Sequence, residues 1–411
     1  MSSITYLHGA LHCEDVSLAN LAAAHGTPLY VYSIASLHAN YRRLAAAFAP
    51  LDPLICFAVK ANFNLTLLRL LKEEGAGFDI VSGGELFRAL RAGADPARIV
   101  FAGVGKTDSE LNEALAANVG WFNVESADEA ARLNALAAAA GRRATVALRL
   151  NPGVDPDTHH HIRTGGSGSK FGIPVQEALA LAAGWDRFPA LDLRGVHIHI
   201  GSQVPDATPT LAALEVALDF ARQAPSIDHL DLGGGFPVPY RDDDRYASIE
   251  DFAAPLVARL RPLAGRYSFH LEPGRYLVAN AGLLLATVQA VKDVAGRRTL
   301  ILDAGMHTLL RPALYDAYHR TLPLREPAAE TVPTDLAGPI CESADVLARD
   351  RALPPLGPGD RLALLDAGAY GFSMASNYNS QPRRAEVLVD GALARLVRRR
   401  ETYADLVRLE E

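Results

Sequence analysis

The sequence predicts an α/β fold: a (β/α)8 barrel followed by a C-terminal β-rich domain of sandwich or barrel-like form. Two observations predict it. Between about residues 36 and 280, eight short apolar runs alternate with alanine- and leucine-rich stretches whose apolar residues recur at helical spacing. Beyond residue 280 the helical stretches largely vanish, and strand-like runs succeed one another across turns rich in Gly and Pro. Eight β–α units in about 240 residues match the size of such a barrel. A doubly wound open sheet would usually place fewer parallel strands in that length.

The elements follow in order. Residues 1–35 include strand material from Thr27 to Ser33 and are expected to pack with the β-domain. The barrel is expected over 36–280 and the β-domain over 281–411. LICFAVKAN supplies the first barrel strand: Leu54 to Val59 is apolar and partly β-branched, and Lys60 closes it. GFDIVSGGE, RIVFAG, GWFNVES, TVALRLNP, RGVHIHIGS, HLDLGGGF and YSFHLEPGR supply the other seven. Segments such as NLTLLRLLKEEG, SADEAARLNALAAAAG and LAALEVALDFARQAP read as the helices between them. In the β-domain, GLLLATVQAVKDV, RTLILDAG, DRLALLDAGAY and RAEVLVDGALARLV read as strands. The stretch Pro323 to Pro339 is Pro-rich and is expected to be irregular.

Composition excludes several classes. Of 411 residues, 49% are hydrophobic and 21% charged, as in a globular protein with substantial cores. A net charge of −7 argues against a nucleic-acid surface, and the one basic run, Arg398 to Arg400, is most simply a solvated face. No apolar stretch reaches the roughly 18–20 residues that span a bilayer, so no membrane role is expected. The start, MSSITYLHGALHCEDVS, lacks the basic region and apolar core of a signal peptide. Cys13, Cys56 and Cys341 form neither a disulfide framework nor a metal-ligand spacing. The expectation is a cytoplasmic protein with reduced thiols and no metal.

In a (β/α)8 barrel, functional residues gather at the C-terminal ends of the strands. Unusual polar residues collect there. Lys60 ends strand one, Ser82 to Glu85 follow strand two, and Arg149 and Asn151 end strand five. His197, His199 and Ser202 lie on or after strand six, Gly233 to Gly235 after seven, and Glu272 to Arg275 after eight. Burial disfavours the ammonium form of a lysine, and a neutral amine is what Schiff-base chemistry with a carbonyl needs. The bland alternative is a lysine that snorkels from a strand end. Three glycines let a backbone approach a ligand and offer N–H groups to an anion, and a phosphate site after strands seven and eight recurs in barrels. Glu272 reads either as a rim ion pair or as the partner of a pyridine nitrogen, whose protonation makes pyridoxal phosphate (PLP) an electron sink. His197 and His199 point to one barrel face, and His199, nearer the rim, is the better candidate to stack on a flat ring. The triplet His159–His160–His161 is read as loop, with Gly165, Gly166 and Gly168 nearby.

The second domain adds motifs of its own. GPICESADVL sets Cys341 beside Glu342, with Asp345 following, and the thiol is either a small buried residue or a proton donor to a carbanion. DAGAYGFSMASNYN carries Tyr370 among small residues that suit close approach by a ligand. RPALYDAYH offers Arg311 and Tyr315, candidates to bind a substrate carboxylate.

YVYS, FAVKAN, VSGGE, HIHIGSQ, GGGF, EPGR, RPALYDAYH, GPICESADVL and AYGFSMASNYN occur in that order over almost the whole chain. With these strings the sequence resembles the diaminopimelate decarboxylase family. These are TIM-barrel PLP enzymes of the alanine-racemase-like class (fold type III), which also holds ornithine and arginine decarboxylases. EPGR and GGG are shared across the wider group, whereas CES and RPALYDAYH look specific to the diaminopimelate branch. The resemblance implies that Lys60 forms the Schiff base with PLP, His199 stacks on its ring and Glu272 pairs with its pyridine nitrogen. It places the phosphate with Ser202, Gly233, Gly234, Gly235, Gly274, Arg275 and Tyr370. Arg275, Arg311, Tyr315, Glu342 and Tyr370 would hold the distal end of an amino-acid substrate. Cys341 and Glu342 would come from the partner subunit of a homodimer, Cys341 as proton donor. The implied reaction is decarboxylation of meso-2,6-diaminopimelate to L-lysine and CO2. Another amino-acid decarboxylase, a racemase, or a PLP-binding relative without turnover are the alternatives. Ala344, where glycine is usual, and Gln381, where arginine is usual, depart from the pattern.

Overall fold

Eight parallel strands close on themselves. The computed structural model describes residues 3–154, 169–294, 296–328 and 330–410. The strands are Leu54–Ala58, Gly77–Ile80, Ile99–Phe101, Trp121–Val124, Ala144–Asn151, Leu191–Ile198, His229–Asp231 and Ser268–Leu271. Each pairs in parallel with the next, and the eighth returns to the first through His270↔Leu54 and Leu271↔Ile55. This is the (β/α)8 barrel expected from the sequence. Its strands are short and almost wholly buried, so each reads as an apolar run rather than an alternation.

Three successive strand-to-helix turns use one local device. Ser82, Thr107 and Ser126 precede the helices Gly83–Arg91, Asp108–Ala117 and Ala127–Ala139, and each accepts the backbone N–H of a glutamate three residues on, at 3.2, 3.3 and 3.0 Å. The glutamates reach back: Glu85 accepts Val81 N–H at 2.8 Å, Glu110 accepts Thr107 N–H at 2.9 Å, and Glu129 accepts Glu125 N–H at 3.0 Å. At Thr107 this is a full capping box, and at Ser82 and Ser126 the glutamate instead accepts the N–H of the residue before the cap, so each helix start has its N3 donor satisfied and the entering chain pinned. Ser82 to Glu85, gathered on the rim by the sequence reading, are spent on this cap.

The chain divides into two compact units, one of residues 41–238 and 245–276 and the other of 1–40, 239–244 and 277–411. The second unit is built on one long strand, Gly282–Val294. Its first half pairs with Leu29–Ser33 and Arg361–Leu364, its second with Arg297–Leu302. A register shift between Val288 and Ala290 separates the halves, and such a bulge lets one strand turn from one sheet into another. Leu29, Val31, Leu283, Leu285, Ala363, Val387 and Val389 face one apolar core together with Leu11 and Leu18. One expectation fails here. Part of the Pro-rich stretch is regular: Val332–Ala337 lies parallel to Arg297–Leu302 and antiparallel to Val346–Leu353. Pro333 is tolerated because it sits at the exposed start of that strand. Among the described residues, no helix is long and apolar enough to cross a membrane.

The barrel interior is layered, since residues two apart on a strand share a face. His229 and His270 lie one pleat below Asp231 and Glu272. Their rings are 4.0 Å apart, with Trp121 packed on His229 at 4.1 Å. Burial holds the His270 imidazole down to about 4, against the pull of Glu272. The unfolded chain therefore takes up a proton below about pH 6.5 that the folded chain refuses until about pH 4. Stability is expected to fall by about 2 kcal/mol from this group between pH 7 and 5. His270→Gln should flatten that part of the slope of unfolding free energy against pH, and an unchanged slope would count against the assignment.

Candidate active site

Lys60 leaves the first strand in a single turn, Val59–Ala61. Its Nζ lies 2.9 Å from Asp79 Oδ2 on the second strand, where the register sets Ala58 opposite Asp79. The Lys60 side chain is 39% exposed, and the buried carboxylate of Asp79 lies beside it. Burial and the charge of Glu272 push the Asp79 carboxyl up, and Lys60 pulls it back.

Glu272 follows the eighth strand and is buried. Its Oε2 is 3.2 Å from His197 Nε2, and Asn123 Nδ2 donates to its Oε1 at 3.3 Å. Asp231 completes the group: one ligand atom from each of His197, Asp231 and Glu272 lies within 4.8 Å of the others. The two carboxyls titrate apart. Burial and the charge of Glu272 push Asp231 well up, so it keeps its proton. Burial also presses Glu272 upward, but His197 and Lys60 outweigh it and hold this carboxyl well below the usual range.

His199 sits just past the sixth strand. Burial, then the charges of Arg149 and Lys60, hold its imidazole well down, so the ring is neutral. Gly234 N–H donates to His199 Nδ1 at 3.2 Å, which leaves the ring proton on Nε2. The glycine run is packed onto the strand ends. A Cβ would stand 2.5 Å from Ile198 O at Gly233, 2.3 Å from Glu272 O at Gly234 and 2.8 Å from Gly201 O at Gly235. Two of the three amides offered to an anion in the sequence reading are engaged within the chain, because Gly233 N–H donates to Asp231 Oδ1 at 2.9 Å. Arg275 joins the neighbouring loop, donating from Nε and Nη2 to Ser202 Oγ at 3.2 and 3.1 Å. One barrel mouth thus brings together Lys60, His199, Ser202, Gly233 to Gly235, Glu272 and Arg275, with Gly274 in the turn between the last two.

Arg149 ends the fifth strand in a buried ion pair with Glu125 at 2.7 Å. The other oxygen of Glu125 accepts Gly172 N–H at 2.9 Å. His159 to His161, Gly165, Gly166 and Gly168 lie outside the described residues.

The β-rich unit carries the remaining candidates. Arg311, buried, opens the short helix Arg311–Tyr315, which ends on the other candidate, Tyr315. Its Nη1 donates to His319 Nε2 at 3.0 Å, and the Tyr240 ring lies 4.5 Å beneath the guanidinium. His319 Nδ1 is 2.8 Å from Leu365 O, so the ring donates there and accepts from Arg311. Tyr370 holds a φ of 56°, an outlier for a bulky side chain. Cys341 is exposed, and Cys13 and Cys56 are buried. The loop of Cys341 and Glu342 is tied by Asp345, whose carboxylate accepts Met306 N–H at 2.5 Å and Ile340 N–H at 2.7 Å. Gln381, the departure from the family pattern, accepts from Arg384 Nη2 at 3.1 Å.

Sequence reasoning missed Asp79, Asp231, Asn123 and His319, and gave His197 no task. A signal existed for the first two. An aspartate inside a buried apolar run, as in GFDIV and HLDLG, is costly unless partnered.

Residues 34–279 match the family described as "Pyridoxal-dependent decarboxylase, pyridoxal binding domain". The chain is 47% identical over 412 residues to the diaminopimelate decarboxylase of Pseudomonas aeruginosa, covering 99% of this chain and 98% of that one. It is 44% identical over 408 residues to that of Aquifex aeolicus, covering 98% and 96%. The solved diaminopimelate decarboxylase of Helicobacter pylori, complexed with L-lysine, superposes with a TM-score of 0.91 at 38% identity, over 95% of this chain and 98% of that one. The chain belongs to the pyridoxal-dependent decarboxylases and, among them, to the diaminopimelate decarboxylase family.

Proposed function

We propose that this protein is a PLP-dependent carboxy-lyase that takes meso-2,6-diaminopimelate to L-lysine and CO2, the last step of lysine biosynthesis. We propose further that it acts as a homodimer in which Cys341 and Glu342 serve the partner's site. The observation that carries the reading is the buried Glu272 carboxylate, held 3.2 Å from His197, at the mouth that also holds Lys60. The residues fit the cofactor: a strand-end amine, a buried carboxylate held toward its ionised form, a neutral flat ring and a glycine turn packed close against the strand ends beside them.

Bound PLP supplies an electron sink for the pair left when a carboxylate departs, deepest when its pyridine nitrogen is protonated. Glu272 would keep that nitrogen protonated, and His197, Asn123 and Asp231 hold Glu272 in place. Lys60 would hold the cofactor through its amine, and the neutral His199 ring would offer it a stacking face. The turns after strands seven and eight, Ser202, Arg275 and Tyr370 take the phosphate. Arg275, Arg311, Tyr315 and Glu342 take the substrate's distal end, and Cys341 delivers the proton to Cα.

Two guanidiniums and a carboxylate suit a distal carbon bearing both a carboxylate and an ammonium. Ornithine lacks the distal carboxylate and would forgo the charge-assisted contact with the guanidiniums, a loss that sites built for hydrogen bonds convert into strong rejection. CO2 release is to be measured side by side on meso-diaminopimelate, L,L-diaminopimelate, ornithine and arginine. The meso compound is expected to lead ornithine in kcat/KM by at least about 10³-fold. Preference for ornithine would overturn the substrate assignment.

A further inference from the structure

The loop of Cys341 and Glu342 is gripped by a second loop, residues 376–381. Asn379 Oδ1 accepts the backbone N–H of Cys341 at 3.2 Å. The Tyr378 hydroxyl donates to Glu342 Oε1 in a short hydrogen bond. Adjacent residues of one segment therefore hold adjacent residues of the other, one by the backbone and one by the side chain.

The grip is built on a costly backbone. Asn379 has φ 54° and Ser380 φ 55°, so two successive residues occupy the left-handed region and neither is glycine. Such strain persists only where the surroundings fix it, and here they do. Ser376 N–H donates to His307 O at 3.0 Å. Asn377 Nδ2 donates to Glu401 Oε2 at 2.7 Å, and the same oxygen accepts Arg383 N–H at 2.8 Å. The four gripping and gripped residues are nonetheless exposed within the subunit, where a hydrogen bond returns little stability because water competes for both partners. A strained, pinned and exposed clamp is poorly explained by folding. It is well explained by the need to present two side chains in one orientation.

We propose that Asn379 and Tyr378 are positioning residues: Asn379 fixes the backbone from which the Cys341 thiol reaches its acceptor, and Tyr378 fixes the Glu342 carboxylate that holds the substrate's distal end. This rests on the reading of Cys341 as proton donor and Glu342 as substrate ligand. The two halves of the clamp then separate kinetically. Loss of the Asn379 acceptor disturbs the proton donor and appears in kcat, whereas loss of the Tyr378 hydroxyl disturbs substrate holding and appears in KM.

The test uses the full-length holoenzyme. Asn379→Gly keeps the left-handed backbone at no cost and removes only the acceptor. It is expected to lower kcat roughly tenfold with KM nearly unchanged. Alkylation of Cys341 by iodoacetamide, followed on its peptide by mass spectrometry, should run about threefold faster as the loop loosens. Cys13 and Cys56 are buried and do not compete. Asn379→Asp keeps an acceptor and should restore both values to near wild type. Tyr378→Phe should raise KM roughly tenfold and leave kcat within about twofold. It removes one exposed oxygen, so the test stands even if Asn379→Gly does not fold. Wild-type kcat, KM and alkylation rate in the Asn379→Gly and Tyr378→Phe variants would overturn the proposal. Cys341→Ala and Glu342→Gln are run alongside. Wild-type kinetics in that pair would overturn the underlying site reading instead, and the alkylation rate would still judge the clamp.

Discussion

Replacing Lys60 with alanine is expected to abolish CO2 release and to remove the visible absorbance of the lysine-bound cofactor. The amine does two things that no other residue at the mouth can do. In the proposed role it would tether the cofactor covalently, and its primary amine would keep that attachment exchangeable for the substrate's own amine within one site. Positioned covalent chemistry of this kind is worth many powers of ten in effective concentration, so a loss of at least about 10³-fold is expected. Lys60→Arg separates charge from chemistry. It keeps a cation near Asp79 but no amine able to form the bond, and it should be as inactive as alanine while unfolding closer to the wild-type temperature. Lys60→Ala removes the cation and leaves Asp79 buried, yet burial already favours the protonated carboxyl there. Lys60→Ala is therefore expected to neutralise Asp79 and lose only part of its stability. Absorbance scans and CO2 release on the three proteins decide the matter, and an unchanged visible spectrum in Lys60→Ala would sink the Schiff-base assignment.

The barrel was legible because each strand is a local event: an apolar run, a polar end, then a capped helix. The S/T-x-x-E boxes at Ser82, Thr107 and Ser126 punctuate it within four residues each. The residues that end strands or break patterns, Lys60, Glu272 and the glycine run, were legible for the same reason. What escaped was non-local. Asp79 meets Lys60 only through the register of two strands, and Asp231 gains its meaning only beside Glu272, 41 positions away in sequence (272 minus 231). His319 was in plain view inside RPALYDAYH, but its pairing with Arg311 depends on the carbonyl of Leu365, which no local pattern encodes. The strand Val332–Ala337 was obscured by Pro333, because proline lowers strand propensity whether or not it stands at an exposed end.

Cys341→Ala is expected to slow turnover by about 10²- to 10⁴-fold, the range lost with a general acid, while the cofactor's visible absorbance stays unchanged. The two signatures together separate a proton donor from a cofactor ligand. Cys341 is exposed within its own subunit, which leaves it free to reach a site in a partner chain. In the proposed two-fold dimer, each site would combine Lys60 of one chain with the thiol of the other. Mixing Lys60→Ala and Cys341→Ala subunits tests this directly. Neither variant is active alone. After random exchange at equal amounts, about half of the dimers are hybrids, and a two-fold arrangement gives each hybrid one site with both residues intact and one with neither. Activity should therefore recover to about a quarter of the wild-type value. If each site is built from one chain, every site in the mixture lacks either the lysine or the thiol, and activity stays at background. Return of a quarter of the activity is a result that a site within one chain has no way to produce.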